Sequence, residues 1–490
     1  MSDRYDVCIV GAGISGLNAL FVASQYLARD QRVILVDRRP RAGGMWLDTY
    51  DYVRLHQPHP MFTAGDIAWR LDAKREYLAN KQEVAQHLRH CLEGIKAGIR
   101  VTELFGYEFE SAEETAGTVR ITCRSAESGP VDFAADRLIK AFGQEVEKNA
   151  PLELSSPRAR SISPDEFDVR GSEIRGSDAP VWIVGGGKTG MDTAHTLLTE
   201  QPGREVNLVA GPGTIFINRD QMFPNGVGRW YRGELMSSVF QEMGRRFDGT
   251  NEADVLEWFR DNYGVSVTPE TGNFMGAILS ETEKATISGG LNRIVMDRLD
   301  DVADRNGGSE VVCRSGATMP FEPGSWVVNC TGSLMRGEHS YEPYVSTGGR
   351  VLSIQNRSMT IPFPAAGNAA YFLTHLLFLG RLTNLPLYAM DLEELRRKAP
   401  QYVMAAAFVP LHIYNLSLIA EALPSRQFMK VVSHNGLDLD RWFPLPRRLR
   451  AQAGFMLSHK REREHHRRSL DRVAERFGVH CGPVVGAGHA

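Results

Sequence analysis

The sequence predicts an α/β protein with two Rossmann-like dinucleotide-binding domains and a mostly helical C-terminal region. Three observations lead to this fold class. Glycine-rich turns at 11–16 and 185–190 each follow a short apolar strand and open an apolar-periodic helix. A stretch rich in Pro, Ser and Gly at 142–180 lies between them and indicates a crossing between domains. From 401 onward, an apolar stretch and a charge-rich stretch are both typical of helices.

The composition is that of an ordinary globular, enzyme-sized chain. Of 490 residues, 42% are apolar and 23% charged, and the formal net charge of -3 gives no overall basic field, so nucleic acid is not an expected partner. The six cysteines are scattered without a CxxC pair, so neither a disulfide scaffold nor a metal site is expected. The N-terminus lacks the features of a secretory signal, and the sequence therefore predicts a cytoplasmic protein.

The first nucleotide-binding unit begins with an apolar strand over 5–10. This strand leads into Gly11, Gly13 and Gly16, which have GxGxxG spacing. The first glycine permits the tight turn, the second leaves room for a pyrophosphate, and the third lets the following helix pack on the sheet. The next strand ends in Asp37, where a carboxylate accepts hydrogen bonds from a ribose 2′-hydroxyl. A turn that serves helix packing alone is disfavoured, because strand, helix and acid are all in place.

The second unit repeats this pattern. The stretch VWIVGGGKTG places Gly185, Gly187 and Gly190 in GxGxxG spacing after an apolar strand and before a helix. Two such units in one chain predict two dinucleotides. They are most simply a tightly held flavin and a nicotinamide donor that reduces it.

The nicotinamide cofactor is predicted to be NADPH, with NADH as the alternative. The ribose-reading position near Ala210 carries no carboxylate that would repel a 2′-phosphate. Lys188 and Thr189 in the turn, and Arg219 beyond it, are candidate cofactor contacts. Solvated surface cations are the alternative for Lys188 and Arg219.

Two later turns are predicted to return the chain to a cofactor. A strand over 326–329 leads into Thr331 and Gly332, and a turn at Gly367 and Asn368 opens an apolar helix, for which an ordinary helix cap is the alternative. These elements predict the domain bounds: 1–165 and 320–400 for the flavin domain, 166–319 for the nicotinamide domain, and 401–490 for a helical C-terminal extension.

The order of motifs along the chain resembles the flavin-containing monooxygenase superfamily, which includes the N-hydroxylases and the Baeyer–Villiger enzymes. The motifs are GAGISG, Asp37, GGMW at 43–46, GGGKTG followed by MD, and NCTG at 329–332, and the similarity extends over at least 5–380. This resemblance implies FAD in the first domain, NADPH in the second, and O2 and a small molecule as substrates.

The resemblance also implies roles for the segment after the first unit. Gly44 and the glycine before it would let the backbone pass close to the flavin, and Trp46 would shield the ring from water. Gln57 stands where the family often has an asparagine, and its amide supplies both a donor and an acceptor beside the flavin. Trp46 and Gln57 are therefore the predicted catalytic residues. His56 and His59 are candidate proton carriers or, alternatively, surface or capping histidines.

Two positions depart from the family pattern. The segment 159–167 lacks the histidine-containing signature that the family carries between its nucleotide motifs. Phe142 stands where an Ala-Thr-Gly triplet is usual. These differences predict altered contacts between the domains and a divergent branch of the superfamily.

The predicted function is that of an FAD-dependent, NAD(P)H-consuming monooxygenase. It would oxygenate a small molecule through a C4a-hydroperoxyflavin, by N-, S- or Baeyer–Villiger oxygenation. The cofactor carries that chemistry, so no acid–base dyad is required. An NAD(P)H oxidase or reductase without oxygen transfer stays an alternative, as does a non-catalytic FAD-binding redox sensor. A reductase with a redox disulfide is disfavoured by the absence of a close cysteine pair.

The C-terminal region raises the question of a membrane. Residues 401–420 are free of charge over a length that reaches that of a membrane span, but polar residues such as Asn415 favour a buried helix that lines a pocket or a subunit contact. Peripheral membrane contact is the alternative. The basic stretch 441–477 has interleaved acids typical of a solvated helix, with contact to an acidic lipid surface as the alternative.

The substrate pocket and the assembly state are less specified. The Trp230–Tyr231 pair is expected to seal a domain interface, with pocket lining as the alternative. Four arginines are equally available to bind a substrate carboxylate, and a homo-oligomer is expected. The arginines are Arg54, Arg229, Arg232 and Arg381.

Overall fold

The structure is a computed structural model that describes residues 4–143, 148–305, 307–332, 340–362 and 365–483. Within these ranges, the side chains of 275, 365, 366, 425 and 426 are not described. Two mainly parallel sheets with flanking helices precede a helical C-terminal region, as the sequence predicts.

The first sheet has seven strands in the order β3-β2-β1-β6-β5-β4, with β18 also paired to β6. Its centre is parallel, and β4, β5 and β6 form an antiparallel meander. The central strand β1 reads RYDVCIV, and its last four residues form a buried apolar run typical of a strand covered on both faces. The strands are β1 (Arg4–Val10), β2 (Arg32–Asp37), β3 (Arg100–Phe105), β4 (Glu108–Glu114), β5 (Val119–Ser125), β6 (Gly129–Lys140) and β18 (Val351–Ser353).

Helices cover this sheet and bring the late chain back to the first unit. Helix α1 (Ile14–Ser24) packs against α9 (Ala365–Phe378) and α2 (Lys81–Lys96). Helix α2 begins with a capping box, because the Asn80 side chain accepts from the Glu83 amide while the Glu83 carboxylate accepts from the Asn80 amide. The predicted return of the chain after 365 to the first domain is thus present in the structure.

The second sheet is all parallel, in the order β13-β9-β8-β17-β7. Helices α3 (Ser172–Arg175), α4 (Lys188–Glu200) and α8 (Glu281–Gly290) accompany it. The strands are β7 (Arg160–Ile162), β8 (Val181–Val184), β9 (Val206–Val209), β13 (Arg293–Val295) and β17 (Trp326–Asn329).

Strand pairing here differs from the predicted domain bounds. Both 160–162 and 326–329 were predicted to belong to the flavin domain, but they pair as β7 and β17 in the second sheet. The register joins Trp326 to Val181 and Asn329 to Val184. A short buried apolar strand carries no local signal for which of two parallel sheets it joins, so the sequence alone does not specify the partner.

Smaller sheets and helices complete the chain. Residues 214–321 also form β10 (Thr214–Asn218), β11 (Gly264–Val265), β12 (Asn273–Leu279), β14 (Leu299–Arg305), β15 (Gly308–Cys313) and β16 (Thr318–Phe321), with α5 (Arg219–Met222), α6 (Met236–Arg246) and α7 (Glu252–Tyr263). The C-terminal part has β19 (Tyr388–Met390), α10 (Leu392–Lys398), α11 (Gln401–Ala422), α12 (Ser425–Ser433), α13 (Leu445–Phe477) and β20 (Cys481–Pro483).

By length and composition, helix α11 is long and apolar enough to cross a membrane. However, 83% of its most apolar 18-residue stretch is buried inside the protein. It packs against α6, α7 and α13. Its polar residue Asn415 is fully buried and donates to the carbonyl oxygens of Thr360 (2.6 Å) and Tyr388 (2.7 Å), while its own oxygen accepts from the Tyr388 amide (2.9 Å). Asn415 therefore ties α11 to β19 as a core helix, in agreement with the buried-helix prediction.

We expect the substitution Asn415→Leu to lower the free energy of unfolding by about 2 to 4 kcal/mol, because the buried backbone groups of Thr360 and Tyr388 lose their partner. Urea unfolding followed by circular dichroism measures the change. Asn262→Leu is the matched control, since Asn262 is exposed and its single bond to the Trp258 carbonyl faces water. A control loss as large as that of Asn415→Leu would contradict the role assigned to Asn415.

Candidate functional site

The first glycine loop is built by close backbone approach. Gly11 has φ +107°, and a Cβ atom there would lie 2.3 Å from the carbonyl oxygen of Ala141, at the end of β6. A Cβ on Gly16 would lie 1.7 Å from the carbonyl oxygen of Gly11. The loop therefore accepts only glycine at both positions. Gly13, which lies between them, has extended backbone and is the N-cap residue of α1.

Asp37 holds this loop to the end of β2. Its buried carboxylate accepts from the Ala12 amide at 2.6 Å and from the Arg39 amide at 2.8 Å. The acid thus lies at the glycine loop, where the sequence places the ribose contact. Its bond to Ala12 also orients the loop, a role that spacing alone does not reveal.

The GGMW segment folds directly over the glycine loop. The Gly43 amide donates to the Ala12 carbonyl at 3.0 Å. Gly44 has φ +56°, and a Cβ on it would lie 2.7 Å from the Gly13 Cα atom. Trp46 follows in a single 3-10 turn, is buried, and packs edge-on against Phe62 at 5.8 Å between ring centroids. Gly44 is therefore explained by contact between two stretches of backbone, and Gly43 by its φ of +149° and the Leu47 side chain 2.8 Å from where its Cβ would be.

A cavity of about 560 Å³ opens beside this loop. Its volume lies within the usual range for sites of small molecules and cofactors. Phe142, which departs from the family triplet, lines the cavity and lies 5.8 Å from the Phe109 ring. Other lining residues are Gly11, Gly13, Ser15, Asp37, Gly44, Tyr107, Lys140 and Gln355.

The second glycine loop uses the same close packing. Gly185 has φ +124°, and a Cβ there would lie 2.5 Å from the carbonyl oxygen of Cys330. A Cβ on Gly190 would lie 2.0 Å from the Gly185 carbonyl oxygen. Gly187 is the N-cap residue of α4 and has extended backbone. Because it has no side chain, no side-chain cap bonds to the amides at the start of the helix. This arrangement is typical of an anion-binding helix N-terminus.

The turn after β17 belongs to this second loop. Because Cys330 contacts Gly185, Thr331 and Gly332 lie beside the second glycine motif. The Thr331 hydroxyl donates to the Asn329 side chain at 2.6 Å. A Cβ on Gly332 would lie 2.2 Å from the Asn149 side-chain oxygen. The prediction that this turn returns to the flavin domain is corrected by the pairing of β17 with β8.

A loop from the first domain contacts the start of α4. The Tyr50 hydroxyl donates to the Asp192 carboxylate at 2.9 Å, and Lys188 forms an ion pair with the same carboxylate. The Tyr52 hydroxyl lies 2.8 Å from the Thr193 hydroxyl, which also bonds to the Thr189 carbonyl. We call residues 50–57 the junction loop, because they join the two nucleotide domains.

Arg219 closes the other end of the junction loop. Its Nε atom donates to the His56 carbonyl at 2.7 Å, and its Nη1 atom lies 2.6 Å from the Glu283 carboxylate. Glu283 also completes the capping box of α8 by accepting from the Ser280 amide at 2.7 Å. Lys188 and Arg219 are therefore both paired with carboxylates, and a dinucleotide phosphate would have to compete with Asp192 and Glu283 for them.

Burial and the charges at the junction together lower the pKa of the nearby His56. Burial, with Lys188 and Arg219 adding to it, lowers the pKa of His56 to about 3, so its ring is neutral at physiological pH. Burial alone would raise the pKa of Glu283, but Lys188 and Arg219 outweigh it and lower that pKa to about 2. His59 is also buried, and its Nδ1 lies 3.1 Å from the Tyr77 carbonyl, so it is a core histidine rather than a surface one.

The remaining predicted residues lie in different surroundings. Gln57 is half-buried within the junction loop, one residue from the His56 carbonyl that Arg219 contacts. Asn368 is buried near the start of α9, and its side-chain oxygen accepts from Asn435 at 3.0 Å. The Trp230–Tyr231 pair is exposed at 58% and 65%, so it neither seals a domain interface nor lines a buried pocket.

One further residue emerges only from the folded chain. Gly211 follows β9 with φ +62°, and the Arg298 side chain lies 4.0 Å from where its Cβ would be. The Gly211 amide donates to the Asp297 carbonyl, which brings the loop after β13 to the ribose-reading end of β9. Arg298 is exposed and makes no ion pair with a described residue. No motif marks it, because it lies almost ninety positions from Ala210.

Comparisons with known proteins agree with this architecture. The family model described as an NAD(P)-binding Rossmann-like domain matches residues 9–66. The protein MymA of Mycobacterium tuberculosis, which carries the name of an FAD-containing monooxygenase, is 28% identical over 149 residues in each of two strains. That alignment covers 29% of this chain and only 28% of MymA.

Two solved structures have a similar fold. The open crystal structure of a cyclohexanone monooxygenase has a TM-score of 0.51 and 14% identity, and the match covers 87% of this chain and 99% of that one. An oxidized steroid monooxygenase bound to NADP has a TM-score of 0.50 and 13% identity, with 82% and 91% covered. The predicted α/β fold with two Rossmann-like domains is confirmed. The predicted resemblance agrees with the similarity in sequence to MymA over 149 residues.

We expect Glu283→Gln to lower the free energy of unfolding by about 2 kcal/mol at pH 7, because Arg219 and Lys188 lose their buried counter-charge. The folded-state pKa is below the ordinary 4.5, so this stabilisation is present above that value and is lost as the pH falls toward 2. The difference in unfolding free energy between the two proteins should therefore begin to shrink below about pH 4.5 and vanish near pH 2.

The exposed neighbour provides the control for this measurement. Glu281→Gln removes one carboxylate from the same helix turn, where its side chain is 54% exposed. It should change stability by less than about 0.5 kcal/mol. A difference between Glu283→Gln and the unsubstituted protein that stays constant from pH 7 down to the low end of this window, near pH 2, would contradict the assignment.

Proposed function

We propose that this protein is an FAD-dependent, NAD(P)H-consuming monooxygenase that oxygenates a small molecule with O2. The observation that carries the proposal is the junction loop, which joins two complete glycine loops through Tyr50, Tyr52 and Arg219. A chain with two dinucleotide cradles in direct contact is suited to pass electrons from a nicotinamide to a flavin. The names of MymA and of the two similar structures support the same activity.

The first cradle fits FAD. The close backbone contacts at Gly11, Gly16 and Gly44 hold the loop in the turn that leads into the N-terminus of α1, where backbone amides would bind a pyrophosphate. Asp37 lies at the ribose end, and the adjoining cavity of about 560 Å³ accommodates a nucleotide moiety. When bound, reduced FAD supplies the electrons that activate O2 for transfer of one oxygen atom.

The second cradle is proposed to hold NADPH, with NADH as the alternative. The uncapped N-terminus of α4 and the glycines at 185, 187 and 190 present backbone amides to a pyrophosphate. Lys188 and Thr189 are the first residues of α4, and they and Arg219 are proposed to contact the cofactor. Thr331 and Gly332 border the same loop and are proposed to contact this cofactor rather than the flavin.

The chain's own contribution to the reaction is exclusion of water and orientation. Trp46 is buried immediately after the Gly44 contact and closes that side of the cradle with Phe62. Gln57 is proposed to orient the reacting groups through its amide, since the bond from Arg219 to the His56 carbonyl holds the adjoining backbone. Asn368 is proposed to approach the flavin from the start of α9, which packs on α1.

We propose a cytoplasmic setting. All six cysteines are free, and five of them are buried, which supports a reducing compartment. A homo-oligomer is proposed as its assembly state.

The decisive experiment measures cofactor content, NADPH oxidation and oxygen fate together. We expect the purified protein to retain FAD and to oxidise NADPH under air. Hydrogen peroxide release should fall when one of a panel of amines, sulfides and ketones is added, with an oxygenated product formed in its place. Complete conversion of O2 to hydrogen peroxide with every compound would identify an oxidase instead. Bound FAD that NADPH never reduces would identify a non-catalytic protein.

We expect Arg298→Ala to lower kcat/KM for NADPH by about tenfold to a hundredfold and to leave kcat/KM for NADH unchanged, because the lost guanidinium would pair with the 2′-phosphate alone. Steady-state kinetics with both cofactors measures the effect. Arg293→Ala, an exposed arginine at the opposite end of β13, is the control. Equal losses with NADPH and NADH would show that Arg298 does not read the 2′-phosphate.

A further inference from the structure

Exposed apolar side chains are concentrated on two neighbouring segments. Among the described residues, nine large apolar side chains are exposed, and seven of them lie within 226–231 and 445–457. The surfaces of soluble monomeric proteins normally carry such residues singly, so a cluster of seven indicates a contact surface. We call this set the apolar patch: Val227, Trp230, Tyr231, Leu445, Leu449, Met456 and Leu457.

Arg447 holds the two segments together. Its guanidinium donates to the carbonyl oxygens of Arg229 (3.1 Å), Arg232 (2.7 Å) and Gly233 (2.7 Å). The loop that carries Trp230 and Tyr231 is therefore fixed against the first turns of α13. The buried Trp442 supports the same corner by donating its indole N–H to the Pro224 carbonyl at 2.9 Å.

The first half of α13 exposes apolar side chains to solvent as well as burying others in the core. Phe455, Ser458 and His459 face the core, whereas Leu445, Leu449 and Met456 face solvent. The spacing of 4 and 7 places these three leucine and methionine side chains on one stripe, about 16 Å long. The solvent face of a surface helix normally carries polar residues, so an apolar stripe there is suited to contact an apolar partner.

The charges around the apolar patch are almost all positive. From Leu445 to Arg461 the chain has five Arg or Lys residues and no Asp or Glu, and Glu234 is the single acid in 224–235. Arg232 and Arg450 are exposed and make no ion pair with a described residue. The first acid along α13, Glu462, is paired with Arg245 at 3.0 Å. The rim of the patch therefore complements an anionic partner.

We propose that the apolar patch docks the protein on the surface of a bilayer that contains anionic phospholipid. Tryptophan and tyrosine favour the interface between acyl chains and headgroups, and arginines beside them attract acidic headgroups. A helix with an apolar face and basic flanks lies in the plane of that interface. The long apolar helix α11 has no part in this contact, since it is buried beneath α13. The inference does not depend on the bound cofactor.

Co-sedimentation of the full chain with vesicles tests the proposal. We expect binding to vesicles of phosphatidylcholine mixed with phosphatidylglycerol, and at least about tenfold less binding to phosphatidylcholine alone or at high salt. The double substitution Trp230→Ser with Leu449→Ser should abolish binding to the mixed vesicles. Arg450→Glu should lower binding to the mixed vesicles while leaving the apolar residues in place.

Matched controls separate the patch from general surface effects. Met429→Ser removes an apolar side chain that is 48% exposed on α12, and Arg120→Glu reverses an exposed charge on β5. Both should bind vesicles as the unsubstituted protein does. NADPH oxidation in vesicle-free buffer should be the same for all variants, so loss of docking is distinguishable from loss of activity.

Two outcomes would overturn the proposal. One is absence of binding to the mixed vesicles by the unsubstituted protein. The other is a dimer in light scattering that Leu449→Ser converts to a monomer, together with no vesicle binding. That second result would assign the apolar patch to contact between two copies of this chain.

Discussion

Close contact between stretches of backbone is the constraint on which both nucleotide cradles depend. At Gly11, Gly16, Gly185 and Gly190, a Cβ atom would lie 1.7 to 2.5 Å from a carbonyl oxygen of a neighbouring segment. Each loop can therefore turn between its strand and helix only if the side chain is absent. The strand ends at Ala141 and Cys330 press against these loops, so the sheets, the loops and the helix N-termini have one common geometry. The cofactor surfaces follow from that geometry rather than from individual polar side chains.

The junction loop connects the two cradles through a small number of polar contacts. Tyr50 and Tyr52 reach α4, and Arg219 reaches back to the His56 carbonyl. Lys188 and Arg219 each have a carboxylate partner, so the positive charge near the second cradle is balanced inside the protein. A phosphate that enters must exchange with Asp192 or Glu283. Such an exchange gives the junction loop a direct way to respond to the second dinucleotide, because the same residues hold both.

The two long helices of the C-terminal region lie in different environments. Helix α11 has the composition of a membrane span but lies in the core, where the Asn415 amide satisfies three backbone groups. Helix α13 is rich in charge, yet its first half exposes apolar side chains beside the Trp230 loop. Hydropathy along the chain would assign a membrane contact to α11, whereas the exposed apolar side chains lie on α13.

Local spacing in the sequence determined the two glycine motifs, the acid at Asp37, the GGMW segment and the fold class. These features are readable because strand, turn and helix are contiguous, and the backbone rules that govern them act over a few residues. Tertiary structure decided the rest: the pairing of 326–329 with the second sheet, the approach of Arg298 to Gly211, and the exposure of Trp230. Those outcomes depend on contacts between segments far apart in the chain. A short apolar strand or a lone arginine carries no local signal for its distant partner, so only the folded chain specifies it.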